Sequence, residues 1–324
     1  MMLFLHLFNR DYNNLFKPVI FIAGKPLSYY LSLFSDACVP IFAFVSGYGL
    51  YFTFKRDTEI YFKNNFKRLK KLYINYWIIL LIFAVILGYV IKPDSYPGSI
   101  TKFIVNFTGA ETSYNGSWWF FTIYVLFVLT SCFWFNLVDK INPYLFLSGL
   151  LLIYIITFYC KTYRPNIFDN NLVHWFYIKT VLYFFTLFQF MLGVFAFKYD
   201  WNTRIRVIFK YIRYKNIAAF SLIISLIFFH GLFPNLIVAP FTGLAFILLF
   251  LQIDLSEKAN KVLDYLTPHS TNLWLIHLFF CTIFFSNFIY SFRYVPIIFL
   301  VLLAVCIFSS YIVNFIKEKL LKTI

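Results

Sequence analysis

The sequence predicts an all-α fold, a polytopic bundle of transmembrane helices. Three observations carry that reading. Hydrophobic residues make up 61% of the 324 and charged residues only 13%, whereas a soluble domain is roughly half apolar and a quarter charged. Apolar runs recur at the length a bilayer requires, about 20 residues of helix, and mean hydropathy is +0.76. Basic residues gather in alternate loops, as they do around membrane helices.

The first apolar run, 1–8, is too short to span and stops at Asn9-Arg10-Asp11. It has no basic leader and no small-residue cleavage site, so it is not a signal peptide. It reads as the last two turns of a helix that begins upstream, with a re-entrant or interfacial segment as the alternative. Full spans are expected at 33–54, 72–92, 117–138, 144–160, 178–198, 216–231, 236–252, 270–290 and 294–316. That is nine spans plus a partial first helix, ten in a complete chain. No soluble segment, low-complexity tract or repeat separates them, so 1–324 reads as one integral membrane domain.

Lys and Arg number 28 against 13 Asp and Glu, a net charge of +15. In a soluble protein this would raise nucleic acid as a partner. Here loops facing anionic lipid account for it, the bilayer is the expected partner, and no nucleic acid is expected. If the loop holding Lys55, Arg56, Lys63, Lys67, Arg68, Lys70 and Lys71 is cytoplasmic, alternation puts Lys198–Lys215, Lys258, Lys261 and the tail lysines on the same side. That side then holds roughly two thirds of the basic residues, and both termini of a complete chain are cytoplasmic. The five cysteines form no C-x-x-C and suggest neither disulfides nor a metal site; they read as small apolar packers.

Within the span at 33–54, "CVPIFAFVSGYGLYF" breaks its apolar run at Ser46-Gly47-Tyr48-Gly49. The glycines permit close approach of a neighbouring helix. The break lies toward the cytoplasmic end, so Ser46 and Tyr48 also read as lining of an access route rather than as catalytic groups. The basic loop then runs into the next span as "KNNFKRLKKLYINYW". Arg68 and Lys71, three residues apart on a helix, share a face and form a positive fork suited to phosphate; a positive-inside anchor is the plainer reading. Tyr73, Tyr76 and Trp77 read as an interfacial aromatic belt.

Ionisable residues at membrane depth are costly and so are functional suspects. His6 lies in the partial helix, His277 in "NLWLIHLFF", and Asp36 at the outer end of the Ser-Gly-Tyr-Gly span. A neutral imidazole is tolerated in a bundle when one nitrogen donates and the other accepts, so a structural reading of each His stands beside the functional one. In "SYNGSWWFFTIYVLF", Trp118 and Trp119 read either as a belt or as a platform for a sugar or an acyl chain. H-E-x-x-H, G-x-S-x-G and Walker A patterns do not occur, which weighs against metalloprotease, hydrolase and ATP-driven pump. Acidic residues are scarce within the spans, which weighs against an ion-coupled transporter.

Taken in order, these pieces resemble the membrane-bound acyltransferase-3 family, bacterial many-helix enzymes that O-acylate glycans. "MLFLHLFNR" resembles the end of the family's first helix, "VPIFAFVSGYGLY" its second helix, and "KRLKKLYINYW" its R-x-x-R-L-Y-P-x-Y-W segment. "GSWWFFTIYVLF" and "TNLWLIHLFF" resemble its W-F-L and Y-L-I-H segments. The resemblance implies ten helices and transfer of an acyl group, by default acetyl, from acyl-CoA (acetyl-CoA) to a hydroxyl of a cell-surface or lipid-linked glycan at the bacterial inner membrane. It implies His6 as general base or acyl carrier and acyl-CoA held by Arg68 and Lys71, with no metal. Asp36 and His277 are candidates to support His6. Two departures stand out. The family's Arg about ten residues before the first-helix His would precede Met1, and the second Arg of R-x-x-R is Lys71, which keeps the charge but loses the bidentate fork. A flippase for a lipid-linked polysaccharide precursor is the alternative.

Overall fold

The structure, a computed structural model, describes residues 1–13, 15–233 and 235–323. It is 79% helical with almost no strand, an all-α helical architecture as expected. The chain opens with α1 (Met2–Phe8), a two-residue hairpin of β1 (Phe21–Ile22) and β2 (Lys25–Pro26), α2 (Leu27–Phe34) and α3 (Cys38–Arg56). Then come α4 (Thr58–Ile79), continued by a π-helical stretch (Leu80–Leu87) into α5 (Gly88–Ile91), α6 (Ile100–Phe107) and α7 (Trp119–Lys140). Next are α8 (Pro143–Tyr163), α9 (Asn171–Lys198), α10 (Trp201–Lys210), α11 (Lys215–Leu232) and α12 (Ala239–Phe250). The chain ends with α13 (Glu257–Leu266), α14 (Ser270–Leu278), a π-helical turn (Phe279–Ile283), α15 (Ser286–Tyr290) and α16 (Val295–Thr323).

Among the described residues, 7 helical runs are long and apolar enough to cross a membrane: Leu27–Arg56, Thr58–Ile91, Gly116–Lys140, Pro143–Tyr163, Asn171–Lys198, Lys215–Leu232 and Val295–Lys322. The expected run at 236–252 is the shorter α12, and that at 270–290 is divided into α14, the π turn and α15.

Contacts divide the chain into two compact units, each assembled from separate stretches. Unit 1 comprises Met1–Asp36, Phe66–Thr122 and Leu255–Ile324; unit 2 comprises Ala37–Asn65 and Ile123–Asp254.

In unit 2, α3 lies along α9 at backbone contact. A Cβ placed on Gly47 would sit 1.9 Å from the carbonyl oxygen of Phe190, and one on Gly193 would sit 1.9 Å from that of Phe44. The two glycines let each helix press its backbone into the other, the small-residue packing that membrane helices use where apolar burial gives no net drive. Gly49, two residues on, meets nothing within 4 Å. At one end of the same unit, Asp139 draws in three helices: Tyr51 Oη donates to it at 2.8 Å, and Lys55 and Lys198 pair with it at 2.5 and 3.2 Å.

In unit 1, α1 packs against α14 and α16, and α14 against α16. The end of α6 is closed by α4. Tyr76 Oη donates to Asn106 O at 2.8 Å, Trp77 Nε1 to Phe107 O at 2.8 Å and Tyr73 Oη to Thr108 O at 2.9 Å. These are carbonyls that a helix C-terminus leaves without intrahelical partners. The three aromatics expected as an interfacial belt thus act as a side-chain cap. Cys281 and Cys306 are fully buried in unit 1 and Cys38 is buried in unit 2.

Candidate active site

Unit 1 brings His6 and His277 together, the first half-buried and the second fully buried. Their ring centroids are 5.1 Å apart, inclined by 36°. Nδ1 of His277 lies 3.0 Å from Leu273 O and 2.8 Å from Trp274 O. A carbonyl oxygen only accepts, so Nδ1 carries the proton and Nε2 keeps a basic lone pair. That Nε2 is buried and has no hydrogen-bond partner among the described residues. The backbone of α14 therefore fixes the tautomer of a neutral imidazole beside His6.

The π turn that follows has an identifiable cause. Leu275 O accepts from Trp118 Nε1 at 2.8 Å and from Asn115 Nδ2 at 3.1 Å. With that carbonyl taken, the Phe279 amide bonds to Ile276 O and His277 O, and the Phe284 amide reaches Phe279 O across five residues. Trp274 Nε1 returns a bond to Ser117 O at 2.9 Å. Side chains inserted into a helical ladder are a recognised source of such bulges. Trp118 is fully buried and braces the segment that carries His277; Trp119, beside it, is half-buried.

The far end of α1 is held by Arg10. Its guanidinium donates to His6 O at 2.5 Å and to Thr282 Oγ1 at 3.3 Å, and stands 5.7 Å above the Tyr290 ring. Tyr290 Oη donates to Leu7 O at 2.8 Å. These bonds fix the last turn of α1, and with it His6, against α14, the π turn and α15.

A second polar cluster lies further along α14. Asn75 Nδ2 donates to Asn272 Oδ1 at 2.6 Å. Asn272 Nδ2 reaches Ser310 Oγ at 2.8 Å and Asn314 Oδ1 at 3.1 Å, and Lys317 Nζ donates to Asn314 Oδ1 at 2.8 Å. Asn75 and Asn272 are both buried. On α4, Arg68, Lys71 and Asn75 follow one another at spacings of three and four, a single helical stripe. Lys71 is exposed and close enough to Lys317 for their charges to interact. Phe83 stacks on Phe279 at 5.1 Å, so α4 with its π-helical continuation runs parallel to α14. At 1.5 Å per residue the level of Lys71 is then roughly 13 Å along the axis from that of His277. Along unit 1, surface cations, buried amides and two imidazoles therefore follow one another in order.

The remaining expected residues are elsewhere. Asp36 is half-buried in the short 3₁₀ turn between α2 and α3. Ser46 and Tyr48 belong to unit 2: Ser46 Oγ donates to Phe42 O of its own helix at 2.7 Å, and the Tyr48 ring packs edge-on against Phe197 at 5.3 Å. Arg10, Asn75, Asn272, Ser310 and Asn314 were not anticipated. Arg10 carried one usable signal, its position four residues after His6.

Around α6 of unit 1, Lys102 Nζ stands 5.3 and 5.2 Å from the Tyr96 and Tyr114 rings, and burial pushes both phenols above their usual range. Among the described residues no group of three or more His, Cys, Asp or Glu gathers that could hold a metal ion.

A family model described as "Acyltransferase domain" (Acyl_transf_3) matches residues 1–315. Comparison with curated proteins gives no match, and neither does comparison with solved structures. The match runs through both units and includes His6, His277, Asn75, Asn272, Ser310 and Asn314, while Lys317 lies just past its end. This integral membrane protein belongs to the acyltransferase-3 family and is an acyltransferase acting on groups other than amino-acyl.

Proposed function

We propose that the chain transfers an acyl group, by default acetyl, from acyl-CoA to a hydroxyl of a cell-surface or lipid-linked glycan at the bacterial inner membrane. The carrying observation is the imidazole pair: His6, half-buried, beside a neutral His277 whose Nε2 is buried and unpartnered. Arg68 and Lys71 hold the CoA phosphates at the cytoplasmic face, cations at a helical stripe being suited to that charge. The acyl arm extends along the line marked by Asn75 and Asn272, whose amides match an amide-bearing arm.

At the imidazoles, His6 takes the proton of the acceptor hydroxyl as its oxygen bonds to the thioester carbonyl carbon. The carbon–sulfur bond then breaks, and the thiolate leaves with the proton that His6 received. The products are an ester and free CoA thiol, and His6 ends neutral. His277 supports the charged His6 through its free Nε2, a role for which a fixed tautomer is required. Arg10 and Trp118 act as positioning residues, one for each imidazole. Trp119 offers the aromatic face we assign to the sugar.

The test uses membranes containing the full chain, acetyl-CoA labelled in the acetyl group, and counting of label in the glycan fraction. Substitution His6→Ala is expected to cut incorporation by roughly 10²–10⁴-fold. Incorporation at the unsubstituted rate would remove His6 from the reaction.

A further inference from the structure

A cavity of about 500 Å³ opens in unit 2 against α10, the start of α11 and the segment after α12. Thr203, Arg206, Lys210, Lys215, Gln252 and Asp254 supply its polar lining. Among the described residues, Asp254 pairs with one of the three cations, Lys215, at 2.6 Å. Thr203, Arg206 and Lys210 follow at spacings of three and four, so α10 presents them on one stripe.

Gln252 adds an independent demand. It is 4% exposed. Its Nε2 donates to Leu248 O at 2.8 Å and to Asn202 Oδ1 at 3.1 Å. Leu248 O only accepts, so the amide orientation is fixed and Oε1 is the unsatisfied atom. That oxygen is buried and has no partner among the described residues. A buried acceptor left without a donor is costly, so a ligand that brings a donor here is favoured. The cavity thus asks for an anion and a hydrogen-bond donor in one molecule.

The surroundings indicate where that molecule comes from. Beside the pocket α10 exposes Val207 and Ile208, followed by Tyr211 and Tyr214, with Arg204 and Arg213 interspersed. A short helix with apolar and basic side chains exposed together is suited to lie in a headgroup layer and attract anionic lipid. We propose that this cavity binds the headgroup of an anionic phospholipid whose phosphodiester carries a free hydroxyl. The phosphate oxygens meet Arg206, Lys210 and Lys215, and the hydroxyl donates to Gln252 Oε1. The site shares no residue with the imidazole pair and stands whether or not the assignment of His6 does.

The test is titration of the purified full chain in neutral detergent with short-chain phosphatidylglycerol, read as the shift in melting midpoint. Phosphatidylcholine, phosphatidic acid and glycerophosphate are the comparison ligands. The expected result is a saturable shift with phosphatidylglycerol, weaker with phosphatidic acid and absent with phosphatidylcholine. Removing both pocket charges, Arg206→Gln with Lys210→Gln, should weaken binding by roughly tenfold or more, given the share each cation contributes near a charged surface. The charge-matched pair Arg204→Gln with Arg213→Gln should leave most of the affinity. Gln252→Leu should erase the preference for phosphatidylglycerol over phosphatidic acid. Arg206→Gln alone serves should the double variant not fold. Equal weakening by both charge pairs would mean diffuse surface attraction and overturn the site. Glycerophosphate binding as tightly as the lipid would identify a soluble phosphate ligand and overturn the lipid assignment.

Discussion

Gly47 and Gly49 stand two residues apart in α3, and the structure assigns them opposite sensitivities to the same substitution. An alanine Cβ at 47 would lie 1.9 Å from Phe190 O, where real Cβ atoms stay beyond 3.0 Å, and the obstructing atom is backbone. Side-chain rotation cannot relieve it, so α3 and α9 must separate locally by about an ångström. Their reciprocal contact at Gly193 against Phe44 O would open with it. Overpacking of this kind costs about 1–3 kcal/mol. At 49 a Cβ meets nothing within 4 Å, and alanine is favoured over glycine in a helix by about 1 kcal/mol. The assay is thermal unfolding of the detergent-solubilised full chain, followed by solvent-exposed thiol labelling of the buried cysteines. Gly47→Ala should lower the midpoint and Gly49→Ala should hold or raise it. Gly47→Ala combined with Gly193→Ala should cost less than the two separate losses added, because both act on one contact. A Gly47→Ala protein melting with or above the parent would refute the backbone-contact account.

Three further outcomes concern the line of polar groups in unit 1. Asn272→Leu strands Asn75 Nδ2 in the interior and should destabilise by about 1–3 kcal/mol; the paired change with Asn75→Leu should recover part of that loss in the same melt. Trp118→Phe keeps the ring but removes the donor to Leu275 O, so kcat for acetyl transfer should fall while KM for acetyl-CoA changes little; an equal rise in KM would place Trp118 on the donor instead. Lys71→Arg restores a bidentate fork and should lower KM for acetyl-CoA, whereas Arg68→Ala should raise it; unchanged KM in both, with normal expression, would return these cations to topology anchoring alone.

The helical architecture was legible because each long apolar run is a local property. The division of 270–290 was not, since its cause is a carbonyl claimed by Trp118 and Asn115 from a distant part of the chain. The small-residue break at Gly47 was visible, but its partner Gly193 was not, because close approach is a property of two backbones. His6 and His277 each stood out as polar groups at apolar depth; their pairing needed the fold. Asn75 and Asn272 carry no charge and so left no comparable signal. Tyr73, Tyr76 and Trp77 have the composition of an interfacial belt, and only the position of α6 shows their use as a cap.

In the proposed reaction His6 takes the acceptor proton. That step is tested most directly by acetyl transfer at saturating acetyl-CoA with His6→Ala protein whose melting midpoint matches the parent. A positioned general base contributes roughly 10²–10⁴-fold in rate, so a loss in that range is expected, with KM for acetyl-CoA nearly unchanged. A rate within a few-fold of the parent would contradict it.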